Sequence, residues 1–314
     1  MINSNLLKNV SLFTNLTRQE VEKIAKIVNV KNVKKGAFLF KKGELRKEFF
    51  IVISGYIKLS QSNNKNEEGW AILKENDFIS ANALIDEKSL HHQTAFAIEE
   101  SELLVIRGID YKKLIKNNNA HIGQIISNGF IKGLNHRLVH STNKLVSLYK
   151  TGQIVSDEDD LSILAKKALK VIMGVIKIKK AIFAVFDLYK KEIIILASEG
   201  YSSKNEISRK INFADDNISQ EILETKNFYR TKNEDSISLK SNYKMNKGIG
   251  CPMIFGSKVI GLILLGDKIG GDFSINNEIL LKLISNQISG AIYRAGKQEE
   301  QRAEEEIKRV YVTN

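Results

Sequence analysis

A single cysteine, Cys251, in 314 residues excludes an internal disulfide and any all-cysteine metal cage, and agrees with a reducing compartment. Long apolar runs are missing too. The strongest, VIGLILLG from Val259 to Gly266, is far shorter than the roughly 20 residues that cross a bilayer. The opening residues, MINSNLLKNV, have no hydrophobic signal core, so a cytoplasmic protein without a membrane partner is expected. Arginine is scarce, nine against 39 lysines, although the net charge is +12. Residues 1–150 hold most of that excess, with 23 basic and 14 acidic side chains against 25 and 22 in the rest. Such basicity suggests nucleic acid, but recognition of base edges and phosphate favours the bidentate guanidinium over ammonium. Because lysine and asparagine abound everywhere, the charge reads as compositional bias and no specific nucleic-acid partner is expected. Walker loop, nucleophile elbow, HExxH and kinase motifs are all missing, so no catalytic residue is assigned.

What is present is ordinary globular composition, 43% hydrophobic and 27% charged, in a chain long enough for two domains. Residues 5–26 hold a helical stretch with a capping box at Thr17 to Glu20. From Val28 to Ile106 the pattern changes to short β-branched and aromatic segments, AFLF, FFIVISGYIKLS, WAIL and SELLVIR, punctuated by Gly36, Gly43, Gly55 and Gly69. These predict compact antiparallel β-structure between helices.

The order of these segments resembles a cyclic-nucleotide-binding domain over about residues 5–148. LFTNL opens it, Lys35-Gly36 and Lys42-Gly43-Glu44 mark its turns, FFIVISGYIKL is its central hairpin, and NDFIS leads into a phosphate cassette. The resemblance implies a double-stranded β-helix, a jelly-roll-like β-roll. In that family a Gly-Glu pair opens a short helix, its carboxylate takes the ribose 2′-hydroxyl, and an Arg beyond the helix pairs with the phosphate. Here Ser80-Ala81 stands in place of Gly-Glu and Gln93 in place of Arg, followed by Thr94 and Ala95. Ser80, Ala81, His92, Gln93 and Thr94 are the candidate ligand contacts of this degenerate cassette. His91 and His92 are read as exposed loop residues. His136 and His140, four apart, are read as a surface pair, and no metal is expected.

Beyond residue 150 the alternation is βαβ-like, with an acidic helix start at Asp157 to Asp160, strands AIFAVFDLY and EIIILASEG, and a helix near ISQEILETK. The stretch from Gly248, with Cys251-Pro252, Gly256-Ser257-Lys258 and a closing helix Ile279 to Ala295, resembles the end of a GAF domain covering about residues 157–296. GAF domains are six-stranded antiparallel sheets that hold small ligands or serve as dimerisation modules. The cyclic-nucleotide subset carries an Asn-Lys, Phe, Asp-Glu signature, partly matched by Asp267, Lys268, Phe273, Asn277 and Glu278. Lys268 and Glu278 are expected to tie the last loop to the last helix. All five histidines precede the domain, which argues against haem, and no cofactor is expected. Cys251 reads as a small core hydrophobe. GGDF at Gly270 to Phe273 lacks the second acid of the diguanylate cyclase motif it mimics.

Between the domains, Ile131, Leu134, Leu138, Ser141, Leu145 and Leu148 are spaced as a heptad seam, implying a homodimer through a long helix. The expected layout is a β-roll domain at 1–115, a dimerisation helix and linker at 116–156, a GAF domain at 157–296 and a charged C-terminal helix at 297–314. The fold class is α+β. The functional expectation is a non-enzymatic sensory regulator with a small-molecule ligand in the GAF domain and an unidentified protein as output. The alternatives are a transcription regulator of the cyclic-AMP receptor type, or the regulatory segment of a cyclase or phosphatase.

Overall fold

A computed structural model describes residues 4–62, 71–86, 88–201, 210–231, 237–238 and 244–312. The chain divides into two compact units, Met1–Val139 and His140–Asn314.

Unit 1 opens with α1 (Ser4–Lys8) and α2 (Arg18–Ala25), then runs through β1 (Val28–Val33), β2 (Phe38–Phe40), β3 (Glu48–Ser54), β4 (Ile57–Ser60), β5 (Ala71–Leu73), β6 (Phe78–Ile79), β7 (Thr94–Ala97) and β8 (Ser101–Arg107). Helices α3 (Gly108–Lys116) and α4 (Ala120–Asp157) follow. The capping box at Thr17 forms as the sequence predicts, with Thr17 and Glu20 each satisfying the other's backbone N–H. The strands form two four-stranded sheets, ordered β1-β8-β3-β6 and β2-β7-β4-β5, with every pairing antiparallel. Side chains alternate along a strand, so β3 sends Phe49 and Ile51 to a core shared with the helices, and Phe50 and Val52 to a core shared with the second sheet. That double burial explains the unbroken apolar run FFIVI.

The sequence reading of FFIVISGYIKL as one hairpin fails here. β3 and β4 pair in different sheets, because the chain crosses over at Gly55, whose φ of +82° puts it in the left-handed region. A Cβ at Gly55 would lie 2.3 Å from the Ser101 hydroxyl, so both the turn and the close approach require glycine.

Unit 2 takes in the second part of α4 and then α5 (Leu161–Ile176), β9 (Ile178–Asp187), β10 (Glu192–Glu199), β11 (Lys210–Asn212), α6 (Asn217–Thr225), β12 (Tyr229–Arg230), the short pair β13 (Ile237–Ser238) and β14 (Lys244–Met245), β15 (Gly248–Phe255), β16 (Lys258–Lys268) and α7 (Ile275–Val312). The six-stranded sheet is ordered β11-β10-β9-β16-β15-β12 and is antiparallel throughout. The βαβ-like alternation therefore encloses no parallel pair. Asp160 caps α5 by accepting from the N–H groups of Ser162 and Ile163, which explains the acidic helix start. β16 alternates Ile263 and Leu265 toward α5 and α7 with Leu262 and Leu264 toward α6. Cys251 lies in the α5/α7 core, and burial pushes its thiol up to about 12, fitting a small hydrophobe. α7 runs unbroken through the charged segment expected as a separate helix at 297–314, as far as Val312.

Gly261 in the middle of β16 leaves no room for a side chain, since a Cβ there would meet the Ala184 carbonyl at 2.3 Å and the Met253 methyl at 2.5 Å. Gly261→Ala is expected to cost unit 2 about 2 kcal/mol, typical of overpacking. Thermal unfolding should show its midpoint falling by several degrees, and an unchanged midpoint would contradict this packing.

Candidate ligand-binding cleft

In unit 1 the loop after β2 and the segment before β7 zip together. Gly43 N–H donates to the His91 carbonyl, His91 N–H to the Glu44 carbonyl, and Arg46 N–H to the Ser89 carbonyl, all at 2.9 Å. This short ladder turns both Arg46 and His91 inward, and both are buried. The His91 ring stacks on Phe40 at 3.5 Å between centroids and 10° between planes, and its Nδ1 lies 3.4 Å from the Ser80 hydroxyl. The expectation that His91 is an exposed loop residue is thus overturned by backbone pairing and aromatic stacking. His92, with the opposite orientation, is exposed.

The cassette follows β6. Ser80 has φ +62°, ψ +36°, a left-handed conformation rare for a non-glycine residue, and opens a single 3-10 turn, Ala81–Leu84. Serine thus holds a conformation that glycine would adopt freely, at a cost of about 1 kcal/mol or more. A cleft of about 280 Å³ is lined by Ser80, Ala81, Gln93 and His92, together with Phe40, Phe78 and Leu134. Thr94 is not among its lining residues. Its side chain is fully buried, and its hydroxyl accepts the Lys42 N–H at 3.0 Å, which takes it out of the candidate set.

Two arginines that sequence reasoning missed complete the lining. Arg46 is only 8% exposed. Its Nη2 donates to the Leu90 carbonyl at 2.8 Å, and its Nε has no hydrogen-bond partner. Arg137, from α4, donates to the Phe78 carbonyl at 2.7 Å, approaches Asp77 at 3.3 Å and stacks on the Phe78 ring at 4.6 Å. Neither has a sequence signal, because each reaches the cassette from a remote segment of the chain. Burial, aided by the Arg46 charge, lowers the His91 pKa to about 4, so the ring is neutral at neutral pH.

In unit 2 the signature residues gather near the end of β16, but differently from expectation. Glu278 pairs with Arg230 of β12 at 2.5 Å, not with Lys268. The same guanidinium donates to the Phe273 carbonyl at 3.3 Å, so it is Arg230 that joins the last loop to α7. Asp267, at φ +53°, accepts the Asn246 N–H and approaches Lys180 at 3.2 Å. Asn277 accepts the Ser274 N–H at the start of α7. These contacts tie protein to protein, leaving the signature a structural account. Phe273 is buried in the core.

Of the seam residues, Ile131, Leu134, Leu138 and Leu145 are each more than half exposed, whereas Leu148 packs against the unit 2 core and leaves the seam. Ser141, His136 and His140 are exposed. Among the described residues no group of three or more His, Cys, Asp or Glu is placed to hold a metal, and no helix is long and apolar enough to cross a membrane.

The depressed His91 pKa has a definite sign. Below pH 6.5 the unfolded chain takes up a proton that the folded chain declines until about pH 4, so the stability tied to neutral His91 is full above pH 6.5 and is lost as pH falls toward 4. His91→Phe keeps the stack on Phe40 and removes the titration. Urea unfolding at pH 7 and pH 5 should show the variant losing less stability than wild type on acidification, and equal losses would contradict the assignment.

Comparison with known proteins bears on both units. The sequence matches the profile of the cyclic nucleotide-binding domain over residues 30–118 and of the GAF domain over residues 161–294. Among curated proteins it is similar to the cGMP-dependent protein kinase egl-4 of Caenorhabditis briggsae, 30% identical over 116 residues, which cover 35% of this chain and 15% of the kinase. The chain thus spans about a seventh of the length of that relative. Among solved structures it is similar to the GAF domain of Acinetobacter phosphoenolpyruvate-protein phosphotransferase, at 17% identity and TM-score 0.43, covering 49% of this chain and 94% of that one. It is also similar to the Thermus thermophilus catabolite activator protein, at 24% identity and TM-score 0.36, covering 49% and 70%. The chain carries a cyclic nucleotide-binding domain followed by a GAF domain.

Proposed function

We propose that the protein is a non-enzymatic, cytoplasmic signalling regulator in which the first domain no longer serves as a cyclic-nucleotide receptor. The observation that carries this reading is the cassette: Ala81 and Gln93 occupy the family's carboxylate and guanidinium positions, while Ser80 keeps the left-handed turn. Scaffold is retained and recognition chemistry is replaced. The two sensing domains match residues 30–118 and 161–294, which supports a regulatory rather than catalytic role. Boundaries near 115, 156 and 296 fit a β-roll, a connecting helix, a GAF domain and a charged helical end, with the GAF domain holding a small molecule or serving as a dimerisation module. The presence of a GAF domain in the second half favours a sensor over a DNA-binding regulator.

Each charge-assisted hydrogen bond lost at the cassette is worth about 1.5–3 kcal/mol, so two of them lower affinity by roughly 10²–10⁴-fold. Calorimetry on the full chain should therefore show no micromolar binding of cyclic AMP or cyclic GMP. The triple variant Ser80→Gly, Ala81→Glu, Gln93→Arg should gain measurable binding. Micromolar binding by the wild type would end this reading.

A homodimer through α4 is part of the same reading, supported by the exposed apolar side chains Ile131, Leu134, Leu138 and Leu145. Leu138→Glu places a carboxylate that a dimer would have to desolvate without a partner. Light scattering should find a wild-type dimer and a weakened mutant. A monomeric wild type, or an equally tight mutant, would reject it.

A further inference from the structure

We propose that the unit 1 cleft receives a small monoanion, a carboxylate on a compact apolar body, with Arg46 as its counter-charge. The inference rests on the reading above, that cyclic nucleotides are not the ligand.

An arginine 8% exposed, with its Nε buried and unpartnered and no ion pair among the described residues, is costly unless something negative meets it. Nor is its position accidental. The main chain of Arg46 is fixed to Ser89, and its Nη2 to the Leu90 carbonyl, so the group is held at the cleft wall rather than left to reach solvent. Arginine elsewhere in unit 1 is exposed or paired: Arg18 with Glu22, Arg107 with Asp110, Arg137 with Asp77.

Charge selects the class of ligand. The ionisable groups lining the cleft are Arg46, His91, His92 and Arg137. Nearby Glu44 is exposed and accepts the Lys41 N–H at 2.9 Å. His91 is neutral at pH 7, His92 is on the exposed side, and Arg137 already has its carboxylate. One buried positive charge is left to satisfy, which suits a monoanion better than the dianion of a phosphate monoester. A flat carboxylate accepts from a guanidinium fork. The Ser80 hydroxyl and the Gln93 amide line the same cleft as further polar partners. Asn82 adds another polar group, and the apolar part of the wall is formed by Phe40, Leu59, Phe78, Ile79, Ala81 and Leu134. At about 280 Å³ the volume is at the small end of ligand pockets, which run roughly 300–1,000 Å³. A single ring or branched chain fits that space.

The test is calorimetry on the full chain with four probes: benzoate, its neutral isostere benzamide, inorganic phosphate and cyclic AMP. Benzoate should saturate, at least about tenfold tighter than benzamide or phosphate, and Arg46→Met should bring it to the benzamide level. Equal affinity for benzoate and benzamide, tighter phosphate, full benzoate binding by Arg46→Met, or no benzoate saturation by about 10 mM would each overturn the proposal. Should Arg46→Met fail to fold, the benzoate-to-benzamide ratio and a benzoate-induced shift of the Arg46 Nε–H resonance in the wild type decide. The cyclic AMP arm is separate: micromolar binding there overturns the preceding functional reading whatever benzoate does, and its absence beside a failed benzoate arm overturns only this inference.

Discussion

A strand that is apolar on both faces must be covered twice, and most of the architecture follows from meeting that demand. β3 in unit 1 and β16 in unit 2 each alternate between two separate cores. In unit 1 the covers are a second sheet on one side and helices on the other. In unit 2 they are α5 with α7 on one side and α6 on the other. Glycine sits where elements come closest: Gly261 against the Ala184 carbonyl of the neighbouring strand β9, Gly133 of α4 against the Phe78 ring. Burial supplies the driving force, and close approach sets the register in which it is delivered.

The cleft is where unit 1 departs from this economy. Its walls carry a buried arginine with an unpartnered Nε, a neutral imidazole and a serine in a left-handed turn. Three local rules are broken together there. In unit 2 the corresponding polar groups satisfy one another. Arg230 joins Glu278 and the Phe273 carbonyl, and Asp267 joins Lys180 and the Asn246 N–H.

Much of this was legible in the sequence, for identifiable reasons. The change of period near Val28 marked the β-roll, whereas the double covering behind FFIVI and LILL shows only in the packing. The capping box at Thr17 and the acidic start of α5 were local signals and formed locally. What failed depended on contacts distant in the chain. FFIVISGYIKL reads as a hairpin, and only sheet pairing shows that its halves part at Gly55. Nothing near His91 announces that Phe40, 51 positions earlier, stacks on it. Thr94 looked available until Lys42 claimed its hydroxyl, and Leu148 looked like seam until the unit 2 core took it. Arg46 stands two residues beyond the Lys42-Gly43-Glu44 turn, outside any motif. Its importance lies in burial, which has no one-residue signature.

Phe78 belongs to two systems at once. Its ring faces the cleft, and the same ring is the surface on which Gly133 rests and over which Arg137 stacks, while Phe49 and Phe130 hold it from the core. The unit 1 portion of α4 also meets the cleft directly, through Leu134 and Arg137 in its lining. Phe78 adds a second contact between them, since a ring that walls the cleft cannot turn without moving against Gly133 and Arg137.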